Sequence, residues 1–220
     1  DIASRAVGKR GENPTLMGVL LKALPDNGLR VTGTDIERRA WRTVSARVDE
    51  VGAVVLPHGP LREFVSNVSP DDGIKITVND KHRATLVSGS TKIQVSGLDP
   101  EPYPVGPDLH DPLVDFTMSA PEFATLIRHT LHATADPGKT SSAVLAGVNF
   151  SNLDGPLLAR SADSYRMAVD GLDVETSGEF NVSAMASGLV ECVKHLMSAT
   201  SARIMIDARQ SVLVVDCESG

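Results

Sequence analysis

The sequence predicts an α+β fold built twice over within 220 residues. Three observations carry that expectation: an internal repeat of long period, a proline-rich stretch near the middle, and apolar spacings typical of both helices and strands in each half. Gly18-Val19-Leu20-Leu21, a turn at Pro25 to Gly28, and Thr32-Gly33-Thr34-Asp35-Ile36-Glu37-Arg38-Arg39-Ala40 form the first copy. Gly147-Val148-Asn149-Phe150, a turn at Asp154 to Pro156, and Arg160-Ser161-Ala162-Asp163-Ser164-Tyr165-Arg166-Met167-Ala168 form the second. Gly18 and Gly147 lie 129 positions apart, Asp35 and Asp163 lie 128 apart, and Leu61-x-Glu63-x-Val65 recurs 128 on as Leu189-x-Glu191-x-Val193. Solenoid repeats run about 20 to 50 residues, so this period marks a duplicated domain.

Within the first half, Ile2 to Arg10 reads as helix. Strands are expected at Met17 to Leu24, Leu29 to Asp35, Ala40 to Val48 and Ala53 to Leu56. A helix follows at Pro60 to Val68, because Leu61, Phe64, Val65 and Val68 recur at spacings of three and four and Pro60 suits a first turn. Strands at Ile74 to Val78, Arg83 to Ser88 and Thr91 to Ser96 complete the half. Between Asp99 and Pro112 stand Pro100, Pro102, Pro104, Pro107 and Pro112, a stretch that reads as a stiff extended linker. The implied domains are 1–108 and 109–220. In the second half a strand at Asp115 to Ser119 leads to a helix at Pro121 to Ala133 that buries Phe123, Ile127 and Leu131. Strands are expected at Val144 to Leu153, Pro156 to Ser161, Arg166 to Asp170 and Phe180 to Val182. Ser183 is placed as the cap of a helix with Leu189, Cys192, Val193 and Leu196 on its apolar face. Ile204 to Asp207 and Ser211 to Cys217 are the last strands. Two helices on a mostly antiparallel sheet in each half is the predicted architecture.

Composition narrows the function. The net charge of −7 and 4% aromatics describe an acidic chain with aliphatic cores, and mean hydropathy is −0.03. Such a balance excludes a uniformly basic nucleic-acid coat but allows a basic strip on one face. No apolar run approaches the roughly 20 residues of a transmembrane helix. Cys192 and Cys217 are the only cysteines, read as reduced thiols of a cytosolic protein with no zinc site. Asn67-Val-Ser69, Asn149-Phe-Ser151 and Asn181-Val-Ser183 match the glycosylation pattern by coincidence. Opening on Asp1 inside an expected helix and stopping at Gly220 after a strand, the chain reads as an internal fragment.

No catalytic constellation stands out. Gly138-Lys139-Thr140 looks like the end of a phosphate-binding loop, but the first glycine of that motif falls on Ala133 and the segment follows a helix. His129 and His132 lack the acidic neighbour of a zinc hydrolase motif and read as solvated helix residues. Asp35 and Asp163, each directly after a strand, are expected to cap tight turns. Charge placement is the remaining signal. The helical segments 1–10, 60–68, 120–133 and 184–197 hold six basic residues, Arg5, Lys9, Arg10, Arg62, Arg128 and Lys194, against four acidic ones, Asp1, Glu63, Glu122 and Glu191. The rest of the chain holds 15 basic and 24 acidic residues.

At Thr32–Glu37, Leu98–Pro104, Leu145–Phe150 and Ala162–Ala168, together with Pro14-Thr15-Leu16 and Leu56-Pro57, the chain resembles the β sliding clamp family of bacterial DNA polymerase III nearly end to end. The resemblance implies the DNA clamp fold: three similar domains per subunit, two subunits closed head to tail into a ring, helices lining the hole. This chain would be most of the first domain without its opening strand and most of the second without its end, the third being absent. The implied function is a non-catalytic processivity factor that encircles duplex DNA, needs no cofactor or metal, and works in the cytoplasm at the nucleoid. Expected partners are double-stranded DNA without sequence preference, DNA polymerase and clamp loader subunits, a second copy in the full-length homodimer, and no membrane. DNA contacts are expected from Arg5, Lys9, Arg10, Asn13, Arg62, Arg128, His132, Lys139, Ser142 and Lys194. Asn13 replaces the family's usual arginine, and Ser142 and Ala143 replace aromatic or arginine positions. Half of a partner-peptide pocket is expected at Ala162, Ser164, Tyr165, Arg166 and Met167, where Ala162 and Ser164 depart from the family's T-D-G-x-R-L. Ring closure would use Phe64, Lys92, Ile93 and Val95. The rival expectations are a clamp-like protein-binding module that does not encircle DNA and a phosphate-loop nucleotide hydrolase using Lys139.

Overall fold

Gly18 and Gly147, the paired glycines of the repeat, each open a strand where no side chain fits. A Cβ at Gly18 would collide with the Val55 side chain, and one at Gly147 with the Ala184 carbonyl. The computed structural model describes residues 2–8, 13–69, 71–104, 106, 112–140, 142–207, 209 and 211–218. The chain divides into two units, Asp1–Gly106 and Pro107–Gly220.

In unit 1, helix α1 (Ile2–Arg5) and a 3-10 turn (Pro14–Met17) precede strands β1 (Gly18–Leu24), β2 (Gly28–Thr34), β3 (Arg39–Ser45) and β4 (Gly52–Pro57). These form an antiparallel sheet in the order β3-β2-β1-β4, with Leu20 opposite both Thr32 and Val55. Helix α2 (His58–Asn67) leads to a second sheet, β5 (Lys75–Val78), β6 (Arg83–Ser88) and β7 (Thr91–Ser96), in that order. Leu98, just past β7, exchanges backbone hydrogen bonds with Val55 and ties the two sheets together.

Alternation along β1 sends Val19 and Leu21 into a core with Val54, Leu56, Phe64, Ala84, Leu86 and Val95. Leu20 points to the opposite face, where Tyr103 covers it together with Val55. The Tyr103 hydroxyl donates to the Thr32 carbonyl at 3.1 Å, so this part of the proline-rich segment is fastened to unit 1. Val105 and residues 107–111 of that segment lie outside the described residues.

Unit 2 begins with β8 (Val114–Ser119) and helix α3 (Ala120–Leu131), then a 3-10 turn (Ala143–Ala146). Strands β9 (Gly147–Ser151), β10 (Leu157–Ala162), β11 (Met167–Leu172) and β12 (Asn181–Met185) form a sheet in the order β11-β10-β9-β12. Helix α4 (Ala186–Leu196) precedes β13 (Ser201–Ile206) and β14 (Leu213–Glu218), which pair with β8 in the order β14-β13-β8. One cluster forms the core. Phe123, Leu126 and Ile127 of α3 meet Phe150, Leu157, Phe180, Leu189, Leu196 and Ile204. Each fully buried side chain of this size contributes about 1.5–3 kcal/mol. Pro121 in the first turn of α3, with Glu122 there and Arg128 in its last turn, suits the helix dipole.

Four expectations need correction. The first helix ends at Arg5, because the Gly8 amide turns aside to donate to Leu16; Lys9 and Arg10 lie outside the described residues. The expected strand at 144–153 starts only at Gly147, after the 3-10 turn. Ser183 does not cap α4: it lies within β12, where its hydroxyl accepts from Asn149, and Met185 takes the cap position. Val65 is 49% exposed although it sits on the expected apolar face of α2, whereas its counterpart Val193 packs against the unit 2 core.

The repeat is visible strand by strand. The Leu20–Thr32–Trp41 row of unit 1 corresponds to Asn149–Arg160–Val169 in unit 2. Lys22 and Arg30, paired across β1 and β2, enclose seven residues, whereas the equivalent Ser151 and Leu158 enclose six. The one-residue shortening is taken up at the hairpin tip.

Candidate nucleic-acid and peptide interfaces

Helices α3 and α4 pack against each other and bury one side each in the unit 2 core, which leaves Arg128, His129, His132 and Lys194 exposed on their other sides. Two of the four already face a carboxylate. Lys194 Nζ lies 2.6 Å from Glu191 Oε1, and His129 Nδ1 lies 2.7 Å from Asp170 Oδ2. The His129 ring, with the Gly171 amide, holds the Asp170 carboxyl below the usual carboxylate range. Lys139, in the loop before the 3-10 turn, stands 3.7 Å from Asp136. Exposed pairs of this kind contribute about 0–1 kcal/mol, so the lysines can swing from carboxylate to phosphate at little cost. Ser142 begins the 3-10 turn with its amide bonded to Thr140 Oγ1 and its side chain exposed.

In unit 1, Arg5 and Arg62 are exposed on α1 and α2. Asn13 has a structural duty of its own. Its Oδ1 accepts from the Thr15 amide at 3.0 Å and the Thr15 hydroxyl at 2.6 Å, capping the 3-10 turn. Sequence reasoning missed it, though Asn followed by Pro-Thr is a recognisable cap signal.

The expected peptide turn is tightly built. Asp163 Oδ1 accepts from the amides of Tyr165 and Arg166, both at 3.1 Å, and its Oδ2 takes the Arg166 Nε–H at 2.8 Å. The Tyr165 amide and the Arg166 groups hold the Asp163 carboxyl below its ordinary range despite an opposing desolvation. Arg166 is therefore held against Asp163 while its side chain stays exposed. Ala162 is half-buried at the end of β10, opposite Met167, and Ser164 is exposed at φ 75°. Tyr165 is 97% exposed and Met167 65%. Val169, two residues on, is also exposed and continues the apolar stripe along β11; period-two reading from Tyr165 finds it.

The ring-closure residues divide. Phe64 and Val95 are buried in the unit 1 core, so neither offers a surface. Lys92 is exposed and Ile93 half-buried on β7, a terminal strand of its three-stranded sheet.

The phosphate-loop alternative fails on geometry. The Gly138 amide donates to the Asp136 side chain, and those of Lys139 and Thr140 donate to its carbonyl, so the N–H groups a phosphate would need are consumed. Among the described residues no cluster of His, Cys, Asp and Glu is placed to hold a metal, and no helix is long and apolar enough to cross a membrane. Cys192 and Cys217 are unbridged, and burial pushes the Cys192 thiol up to about 12.

Residues 1–107 match the family described as DNA polymerase III beta subunit, N-terminal domain. The beta sliding clamp of Halalkalibacterium halodurans is 31% identical over 184 residues, which cover 80% of this chain and 47% of that protein. The beta sliding clamp of Staphylococcus epidermidis is 29% identical over the same length and coverage. This chain thus spans about half the length of the curated relatives it matches. Among solved structures, a putative DNA polymerase III beta subunit from Eubacterium rectale superposes with a TM-score of 0.88 at 19% identity, covering 99% of this chain and 59% of the other. The DNA polymerase sliding clamp from Bacillus subtilis gives a TM-score of 0.81 at 24% identity, covering 99% and 61%. These likenesses establish the α+β clamp fold.

Proposed function

This chain belongs to the DNA polymerase III beta subunit family, and from that premise we propose that it serves as the first two domains of a sliding clamp that encircles duplex DNA and tethers a replicative polymerase. Units 1 and 2 correspond to the first and second domains of a three-domain subunit. The protein carries out no chemistry of its own. The carrying observation is the family match over unit 1 joined to the repeat, which extends the same fold through unit 2. The partly self-paired helix faces suit the role. A clamp must hold DNA by topology and slide, so a weak, sequence-blind attraction from Arg128, Lys139 and Lys194 serves better than a tight one. Tyr165, Met167 and Val169 supply the apolar half of a surface for partner peptides, and the Asp163–Arg166 clasp holds that turn in shape. Ring closure runs along β7 through Lys92 and Ile93.

The test is retention of the protein carrying this chain on nicked circular DNA after clamp-loader treatment. Encirclement predicts co-elution with the circle and release when the DNA is linearised. Retention that survives linearisation overturns the reading. Arg128→Glu with Lys139→Glu is expected to shorten retention on the circle several-fold, and an unchanged lifetime would remove these residues from the DNA face. A second reading, a clamp-like module that binds protein without DNA, is favoured by one observation: the Asn13 side-chain oxygen is engaged as a cap. It predicts partner-peptide binding with no retention on circles.

A further inference from the structure

Cys192 and Cys217 are the only two cysteines of the chain, one on α4 and one on β14. The fold brings them to one seam of unit 2. On α4, Cys192 comes three positions after Leu189 and four before Leu196, so it shares the helix face that those two buried residues define. On β14, alternation puts Leu213, Val215 and Cys217 on the face packed against the core. Register sets Cys217 opposite Ala202 of β13, and Ala202 opposite Met118 of β8, both buried in that same core. Helix α4 packs against β14, with Cys192 and Cys217 both lying against the one cluster.

Both side chains are half-buried and neither is bridged. Burial, and after it the nearness of Cys217, pushes the Cys192 thiol up to about 12. Burial and the adjacent Asp216 carboxylate raise the Cys217 thiol as well. The thiolate is the reactive form, so two thiols held protonated in this way rest reduced and are slow to be attacked one at a time. Cys192 is the deeper of the two.

We propose that Cys192 and Cys217 are a latent dithiol that closes to an intramolecular disulfide when the protein meets hydrogen peroxide. The Cys217 thiolate, nearer to solvent, attacks one peroxide oxygen. The O–O bond breaks, the departing oxygen takes up a proton and leaves as water, and Cys217 becomes a sulfenic acid. The Cys192 sulfur, losing its proton, then attacks the Cys217 sulfur, the S–O bond breaks, and a second water leaves. Each sulfur gives up one electron, and the peroxide is reduced to two waters. The product ties α4, the helix that carries Lys194, to the sheet behind it. In reducing compartments such bonds serve mostly as reversible sensors. The site does not depend on encirclement of DNA.

The experiment treats the whole chain with hydrogen peroxide in modest excess and follows it by intact mass without reductant. A monomer lighter by two hydrogens is expected, with a Cys192–Cys217 cross-linked peptide after digestion and full reversal by dithiothreitol. Its urea midpoint should exceed that of the reduced chain, because the closed loop constrains the unfolded state. Cys192→Ala should stop at a Cys217 sulfenic acid that dimedone traps, whereas the parent should take up no dimedone at completion. Cys217→Ala should lose its remaining thiol about tenfold more slowly than the parent. Two thiols surviving in the parent, their conversion to sulfinic acid, or a disulfide between two chains would overturn the proposal.

Discussion

The turn after β2 and the turn after β10 share a skeleton and present different surfaces. In each, the aspartate amide donates to the arginine carbonyl three residues on at 3.2 Å, and the arginine Nε returns to the aspartate at 2.8 Å. In each, the residue after the aspartate has positive φ, 80° at Ile36 and 75° at Ser164. The aspartate–arginine clasp is thus what the fold demands, and it survives duplication. What lies around it is free to diverge. Unit 1 places Glu37 and Arg39 where unit 2 has Tyr165 and Met167, and covers the neighbouring Leu20 with Tyr103 where unit 2 has Asn149 bonded to Asn181 and Ser183. The same frame is covered by its own chain in unit 1 and left exposed at Tyr165, Met167 and Val169 in unit 2.

The sharpest way to break the comparison is to exchange residues between copies. Gly33 and Ser161 occupy equivalent positions. A Cβ at Gly33 would run into the Ala3 carbonyl of α1, whereas Ser161 donates its hydroxyl to the Thr130 carbonyl at 2.5 Å, at the end of α3. Gly33→Ser should therefore displace α1 and cost unit 1 about 3 kcal/mol. Ser161→Gly should cost unit 2 only about 1–2 kcal/mol, read as a smaller fall in urea midpoint. Equal losses would mean that the two helices approach their sheets alike.

A smaller effect tests the seal. Tyr103→Phe removes the hydroxyl from Thr32 and should cost about 1 kcal/mol. Burial pushes the Tyr103 hydroxyl up to about 12, above its unfolded value near 10. The neutral form is therefore favoured in the folded state. Its contribution is complete below about pH 10 and is lost as pH rises through about 12. The urea midpoint of the parent should drop more steeply than that of Tyr103→Phe over that window. Parallel curves would place the hydroxyl in water. Smallest is the turn strain: Ile36→Gly should stabilise unit 1 by about 0.5–1 kcal/mol, because a β-branched residue at positive φ is costly, and Ser164→Gly should stabilise unit 2 by less.

Much of this was legible in the sequence, for physical reasons that differ by element. Strands β6 and β7 match their expected limits because turn residues bracket clean alternation. Both aspartate turns were readable because a carboxylate directly after a strand has few other uses. Phe64 shows where reading by resemblance overreached: its place among Leu61 and Val68 already assigned it to the buried face of α2, and the structure keeps it there. Ser183 failed as a cap because a serine in an alternating strand looks no different until the partner strand, with Asn149, is known. The neutralisation of Lys139 and Lys194 by carboxylates three residues away was within reach of the sequence, since that spacing brings side chains together on a helix or tight turn. His129 with Asp170, 41 residues apart, was not.

The hairpin between β9 and β10, one residue shorter than its counterpart between β1 and β2, has a consequence for engineering and for history. Side chains alternate along a strand, so the same deletion inside β9 would have turned the rest of that strand inside out, putting Asn149 in the oil and Phe150 in the water. At the tip it cost nothing that packing could detect, and the lineage was free to drift there. A fluorophore, affinity tag or tether inserted at Asp154 to Pro156 inherits that freedom, at the cost of no more than the exposed Asp154–Arg160 ion pair.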